Sequence, residues 1–250
     1  MSGRAPVLLV TGGSRGIGAA VVARAAAAGW AVCLTYRGDA GAAQEVVTAA
    51  REHGVDARAV RADVAAEADV EAAFAAADAM GPLAGVVVNA GVVAPKARVD
   101  AMSAERVTAM LAINVVGALV TCREAVRRLS TTHGGLGGSI VLVSSVAARL
   151  GAPGEYVDYA ASKAAVDTLG TGLAKEVAGE GVRVNVVRPG IIDTEIHASG
   201  GQPDRVARLG PSAPVGRAGT ADEVAVAVTW LLSDEASYCT GSVLDVAGGR

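Results

Sequence analysis

The sequence predicts an α/β domain in which one doubly wound, seven-stranded parallel sheet spans residues 1–250. Three observations predict it. Short apolar runs alternate with alanine-rich stretches of helical length along the whole chain. The first run, Val7 to Val10, ends in the glycine turn Thr11-Gly-Gly-Ser-Arg-Gly-Ile-Gly18, and a helical stretch follows at once. No linker and no solenoid-period repeat divides the 250 residues, a length that one large core can serve.

The elements follow in order. After the glycine turn, helix runs to about Ala28, Gly29 stops it, and Ala31 to Tyr36 is the second strand. Residues 42–52 read as helix, 55–60 as a strand ending near Asp63, 67–79 as helix, and 85–88 as a strand ending at Asn89. Residues 103–129 read as one long helix, with Ser103 at its N-cap. The glycine-rich segment 134–138 precedes the strand 139–143, and 156–180 is helical. The strand 182–187 is halted by Pro189-Gly190, and helix 222–232 precedes a last strand, 242–246. Between them 191–214, which carries three prolines with 203, 211 and 214, lacks a clean period and is expected to be a substrate lid.

Composition excludes some functions. Net charge is −3, so no global basic field recruits nucleic acid or an anionic membrane. The most apolar region, 17–34, is broken by Arg24 and Gly29 and reads as helix, turn and strand rather than a span. Cys33, Cys122 and Cys239 match no zinc or redox spacing, so no metal site is expected. Their odd number and the lack of a signal-peptide layout fit a reduced, cytoplasmic setting.

Two patterns carry chemistry. Gly12, Gly16 and Gly18, spaced G-x-x-x-G-x-G rather than G-x-G-x-x-G, let backbone N–H groups approach a pyrophosphate; the strand before and helix after favour a Rossmann-type dinucleotide site over an ordinary glycine-rich loop. The second strand ends in Tyr36-Arg37 where an NAD enzyme usually places an acid, and Arg15 lies inside the turn. Two cations favour a 2′-phosphate, hence NADP(H) over NAD(H); nearby Asp39 argues the other way, and either arginine can be read as a solvated charge. The second pattern is Tyr159-x-x-x-Lys163, which sets a phenol and an ammonium one helical turn apart. A lysine cation beside a phenol favours the phenolate, and such a pair can exchange a proton with a carbonyl oxygen. Alone, the pair is more often plain surface.

With the glycine turn, Asn89-Ala90-Gly91, Ser144-Ser145, Tyr159-x-x-x-Lys163 and Pro189-Gly190 in this order, the chain resembles the short-chain dehydrogenase/reductase family over nearly its whole length. It looks most like the branch holding 3-oxoacyl-carrier-protein reductases and glucose 1-dehydrogenases. The resemblance implies a hydride transfer between NADP(H) and a ketone or secondary alcohol. It implies that Tyr159 is the general acid or base and that Lys163 depresses its pKa and binds the nicotinamide ribose. Ser145 would hydrogen-bond the substrate oxygen, and Asn114 would hold a water linking Lys163 to solvent. A loop before Tyr159 that is one residue long for the family leaves Ser144 as an alternative to Ser145. Gly12, Ser14, Arg15, Gly16, Ile17, Gly18, Tyr36, Arg37, Asp63, Val64, Asn89, Ala90, Gly91, Tyr159, Lys163, Pro189, Gly190, Ile192 and Thr194 would hold the cofactor.

The family's usual homotetramer implies one interface through helices 103–129 and 156–180 and another through the last helix and strand. Lys96 and Arg98 could meet an anionic substrate or an acyl-carrier partner, or be plain surface charges. His197 could touch substrate, though a solvated loop histidine is the simpler reading. A non-catalytic dinucleotide sensor on the same fold is the alternative, against which the complete Asn–Ser–Tyr–Lys set argues.

Overall fold

The computed structural model describes residues 5–250. Seven parallel strands form the central sheet: β1 (Val7–Val10), β2 (Ala31–Tyr36), β3 (Ala57–Arg61), β4 (Leu83–Val88), β5 (Gly138–Val143), β6 (Val182–Pro189) and, last in the chain, β9 (Val243–Val246), ordered β3-β2-β1-β4-β5-β6-β9. The chain winds outwards from β1 to β3 on one side and from β4 to β9 on the other. The reversal between β1 and β4 leaves a crevice at their carboxyl ends, where doubly wound sheets bind ligands.

Successive residues of the buried strands face opposite layers. Val7 and Leu9 pack with Phe74, Cys122, Leu129 and Val166. These come from α3 (Glu67–Asp78), α5 (Gly117–Leu129) and α7 (Val157–Val177). Leu8 and Val10 pack on the other side with Val21, Val47 and Val228, from α1 (Gly16–Ala27), α2 (Ala40–Arg51) and α10 (Ala221–Leu232). Both layers are dry, which is why the strands read as unbroken apolar runs.

The expected helix 103–129 has a different structure. It comprises α4 (Ala104–Leu111), a π-helical turn (Ala112–Val116) and α5, with Ser103 capping the N-terminus through a hydrogen bond from Arg106 N of 3.2 Å. Counted as one, Ala104–Leu129 is long and apolar enough to cross a membrane, at a mean hydropathy of 1.6. Here Ala118, Cys122, Ala125 and Leu129 bury its inner face against the sheet, and Met110 is buried as well.

The loop before α7 contains a short helix, α6 (Ala147–Leu150), and the segment expected to be an irregular lid contains β7 (Ile192–Asp193), α8 (Ile196–Ser199) and α9 (Arg205–Leu209). β7 pairs in parallel with β8 (Gly219–Thr220), next to the N-terminus of α10. Elements of two to five residues are too short to show a period in sequence.

Candidate active site

The glycine turn is built from backbone alone. Gly12 and Gly16 have φ of +65° and +53°, where a side chain would be strained. A Cβ at Gly18 would lie 2.3 Å from the Gly12 oxygen. No side chain caps α1, and its first turn holds no acid, so its leading N–H groups remain available to an anion. Asn89 fastens the turn to β4, its Nδ2 donating to the oxygens of Thr11 and Gly12, each at 2.9 Å.

From this turn a cavity of about 510 Å³ runs along the switch-point crevice, lined at one end by Ser14, Arg15, Tyr36, Arg37, Asp63 and Val64 and at the other by Asn89, Ala90, Gly91 and Thr194. A second cavity, of about 380 Å³, shares Ile17, Asn89, Gly91 and Thr194 with it and continues to Ser145, Tyr159, Lys163, Pro189, Gly190 and Ile192. The residues expected to hold a cofactor and those expected to move a proton therefore line one continuous cleft. Gly18 and Asn114 are the exceptions: Gly18 is buried behind the turn and supports it, and Asn114 is buried outside both cavities. A dinucleotide suits this cleft, which offers an uncapped helix N-terminus, a floor without side chains and two guanidinium groups at the far end. Neither Arg15 nor Arg37 has a side-chain partner among the described residues, and Asp39 is engaged in capping α2 through Ala42 N at 2.9 Å.

Tyr159 and Lys163 lie one turn apart on α7. The Lys163 ammonium is 5.8 Å from the Tyr159 ring centroid and donates to the Val143 oxygen at the end of β5, at 2.7 Å. Both serines line the cleft; Ser144 is buried and donates to the Lys163 oxygen at 3.0 Å, whereas Ser145 is half-buried. Of the two serines, Ser145 is the one whose hydroxyl stands beside the Tyr159 phenol.

A family model described as enoyl-(acyl carrier protein) reductase matches residues 12–250. An uncharacterized oxidoreductase of Escherichia coli, YgfF, is 53% identical, covering 98% of this chain and 99% of its own. Among solved structures, a short-chain dehydrogenase of Burkholderia cenocepacia in complex with NADP has a TM-score of 0.89 at 34% identity, with 98% of each chain covered. A 3-ketoacyl-(acyl-carrier-protein) reductase of Brucella melitensis complexed with NADH has a TM-score of 0.90 at 30% identity, covering 99% of this chain and 98% of that one. The chain belongs to the short-chain dehydrogenase/reductase family.

In this short-chain dehydrogenase/reductase, several expected roles are arranged differently. Burial raises the Tyr159 phenol above its ordinary value, while the Ser145 hydroxyl and the Arg205 charge pull it down; the Lys163 ammonium, 5.8 Å from the Tyr159 ring centroid, donates to Val143 O. Burial also lowers Lys163 to about 8, opposed by Asp167. The Asn114 side chain is bound to protein on both ends. Its Oδ1 accepts from Val92 N at 2.8 Å, and Nδ2 donates to Val92 O and Ser162 Oγ at 2.9 and 3.0 Å. Asn114 sits in the π turn, a local irregularity frequent at functional sites, and fixes the strand-end loop that carries Gly91. A Cβ at Gly91 would crowd both Asn114 Oδ1 and Lys163 Nζ, at 3.3 and 3.4 Å. His197 is half-buried rather than solvated, bonded to Ile192 O at 2.9 Å, and lines the cleft. Lys96 pairs with Glu155 at 3.2 Å, whereas Arg98 pairs with Asp100 on the surface.

Sequence reasoning missed part of the support. Thr35 holds the turn through Gly12 N and Gly13 N, at 3.1 and 2.9 Å. Asp158 accepts from Arg106 Nε at 2.8 Å and from Tyr159 N at 2.9 Å, and so fixes the start of α7 beside the phenol. A carboxylate directly before Tyr159 was a visible signal for that anchor; its partner, 52 residues earlier, was not.

Proposed function

We propose that the protein is an NADP(H)-dependent oxidoreductase that interconverts a carbonyl compound and a secondary alcohol, with 191–214 closing over the substrate. The observation that carries this is the single cleft joining an uncapped, glycine-floored helix N-terminus to Ser145, Tyr159 and Lys163. When bound, the nicotinamide cofactor gives or takes a hydride at the substrate carbon.

The chain's own residues would do the rest. In reduction, negative charge grows on the carbonyl oxygen, and Ser145 and Tyr159 would donate hydrogen bonds to it as it develops. Tyr159 then gives up its phenolic proton; in oxidation it takes one from the alcohol. Lys163 adds positive charge behind the phenol, and Asn114 holds the wall in which that ammonium sits. Gly12, Ser14, Gly16 and Ile17 would cradle the pyrophosphate, Asp63 and Val64 would face the adenine, and Asn89 to Gly91 with Pro189, Gly190, Ile192 and Thr194 would enclose the nicotinamide end.

Because one related structure is a complex with NADP and another with NADH, kinship leaves the cofactor preference to the end of β2. There Arg37, joined by Arg15 from the glycine turn, favours a 2′-phosphate; neither has a side-chain partner among the described residues, and Asp39 is already committed to α2. Exposed Leu119 with Val115, Leu169 and Leu173, along the groove between α5 and α7, supports a homo-oligomer through that face.

The test is NADPH oxidation against ketones and β-ketoacyl thioesters with the Tyr159→Phe variant as control. Removing the proton donor should keep NADPH binding and lower turnover by at least about a hundredfold. Near-wild-type turnover in that variant would remove Tyr159 from the reaction.

A further inference from the structure

The wall of the cleft opposite Ser145 carries a charge that the proton-transfer set does not use. Arg205 opens α9 and is 7% exposed, yet it lines the same cavity as Tyr159. A buried ion is costly unless paired, and Arg205 is paired at one corner only. Its Nη1 meets Glu155 Oε2 at 2.8 Å and donates to Gln202 Oε1 at 3.0 Å. Its face lies over the Tyr156 ring, 5.0 Å from the centroid. Nε and Nη2 have no acceptor among the described residues. These two nitrogens form the edge with which Arg106 grips Asp158 and Arg24 grips Asp222 elsewhere in this chain.

Glu155 does not neutralise the wall. Lys96 lies 3.2 Å from its other oxygen, so two cations share one carboxylate. The excess reaches the reacting atoms, since the Arg205 charge favours ionised Tyr159 and disfavours protonated His197. Arg250 also lines the cavity, and its Nη1 is buried without a partner. Glu155 is the sole acidic side chain among the lining residues described. Val93, Leu150, Pro153, Ile196 and Leu209 add apolar surface to the walls, beside the neutral polar side chains of Ser144, Thr194 and His197, and the whole space is about 380 Å³.

We propose that the substrates are short carbonyl compounds bearing a carboxylate, and the corresponding hydroxy acids, with the free edge of Arg205 binding the carboxylate while Tyr159 serves the carbonyl oxygen. Two adjacent N–H groups on a planar guanidinium match a carboxylate bidentately. This rests on the oxidoreductase function proposed above. A hydride and a proton add across the C=O bond, NADPH becomes NADP⁺, and the carboxylate leaves unchanged. A neutral ester keeps the apolar contacts and loses the charge-assisted bonds.

The experiment compares pyruvate, acetoacetate and levulinate, each with its methyl ester, as substrates for NADPH oxidation by wild type, Arg205→Gln and Arg205→Lys. In at least one pair the acid should exceed the ester in kcat/KM by roughly ten- to hundredfold, mostly through KM. Arg205→Gln should bring that ratio close to one, and Arg205→Lys should restore part of it. Taking the ratio cancels any general loss from a disturbed α9, and NADPH fluorescence reports whether each variant is folded. Esters turned over as well as acids in every pair, or an acid preference that survives Arg205→Gln, overturn the proposal. Turnover of none of the six compounds counts against the oxidoreductase function instead. The carboxylate site is then decided by calorimetry with butanoate on NADP⁺-loaded protein. Binding that weakens at least about tenfold in Arg205→Gln supports it; equal binding, or none in wild type, overturns it.

Discussion

Gly18→Ala tests the cofactor turn without knowledge of the substrate. The added Cβ would lie 2.3 Å from the Gly12 oxygen, 2.7 Å from Asn89 Nδ2 and 3.0 Å from the Gly13 Cα. None of these can swing aside. Gly12 N and Gly13 N are bonded to Thr35, and the Asn89 amide holds two carbonyls of the turn. Either α1 or the turn must shift, and overpacking of this kind costs about 1–3 kcal/mol. At this chain length each kcal/mol lowers Tm by about 2–4 °C, so a fall of about 2–12 °C is expected without cofactor. A displaced turn would also lose at least one charge-assisted hydrogen bond to a pyrophosphate, worth about 1.5–3 kcal/mol, or at least about tenfold in NADPH affinity. The assay is thermal unfolding and NADPH titration on both proteins. Gly179→Ala serves as reference, because its Cβ would meet nothing within 4 Å and should change stability by less than about 1 kcal/mol. A Gly18→Ala protein with wild-type Tm refutes the packing argument; a lowered Tm with unchanged NADPH affinity refutes the assignment of this turn to the cofactor.

Arg37→Asp should move the preference from NADPH towards NADH by roughly ten- to hundredfold in the kcat/KM ratio, since it replaces an unpaired cation by an anion beside the expected 2′-phosphate; an unchanged ratio removes Arg37 from recognition. Lys163→Met should abolish turnover yet stabilise the cofactor-free protein at pH 7. Burial holds Lys163 at about 8 when folded, against its ordinary value of 10.5, so the unfolded chain binds its proton more tightly. The resulting penalty is complete below pH 8 and is relieved as pH rises from about 8 to about 10.5. It amounts to about 3 kcal/mol, less about 1 kcal/mol for the lost bond to Val143. Denaturant unfolding of both proteins at pH 7 and pH 10 should show the variant's advantage shrinking; a less stable variant at pH 7, or a gap that ignores pH, contradicts the desolvation argument.

Much of the architecture was legible because its signals are local. Strands buried on both faces read as continuous apolar runs, glycines mark the turn, and an i, i+4 pair reports a shared helix face whatever surrounds it. The rest was invisible for tertiary reasons. The π turn around Asn114 interrupts a sequence whose helical period is otherwise intact, so nothing in the pattern separates α4 from α5. The direction of the Lys163 ammonium depends on Val143, twenty residues earlier on another element. Arg205 looked like one of several charges in an aperiodic segment; only the approach of Glu155 and Tyr156 makes it a buried cation in the cleft. Ser145 could be told from Ser144 only once β5 had been placed against α7.

The cost of the site is concentrated on α7. Tyr159, Lys163 and Asp167 follow at one-turn intervals, and Lys163 and Asp167 are buried charges. Arg188 on β6 takes Asp167 Oδ2 through Nε and Nη2, both at 2.9 Å, and leaves Oδ1 buried without a partner. Arg188 also reaches Asp245 on β9 at 3.5 Å, and Arg149 reaches the same residue at 3.2 Å. Burial lowers the Lys163 ammonium and the Asp167 carboxylate, one turn on, opposes it; at about 8 the lysine stays mostly protonated at neutral pH. Asp167 therefore serves two cations at once, bonding Arg188 and supporting the charge of Lys163 behind the phenol. The helix tolerates the arrangement because Val166, Ala174 and Val177 are buried against the sheet on the same element.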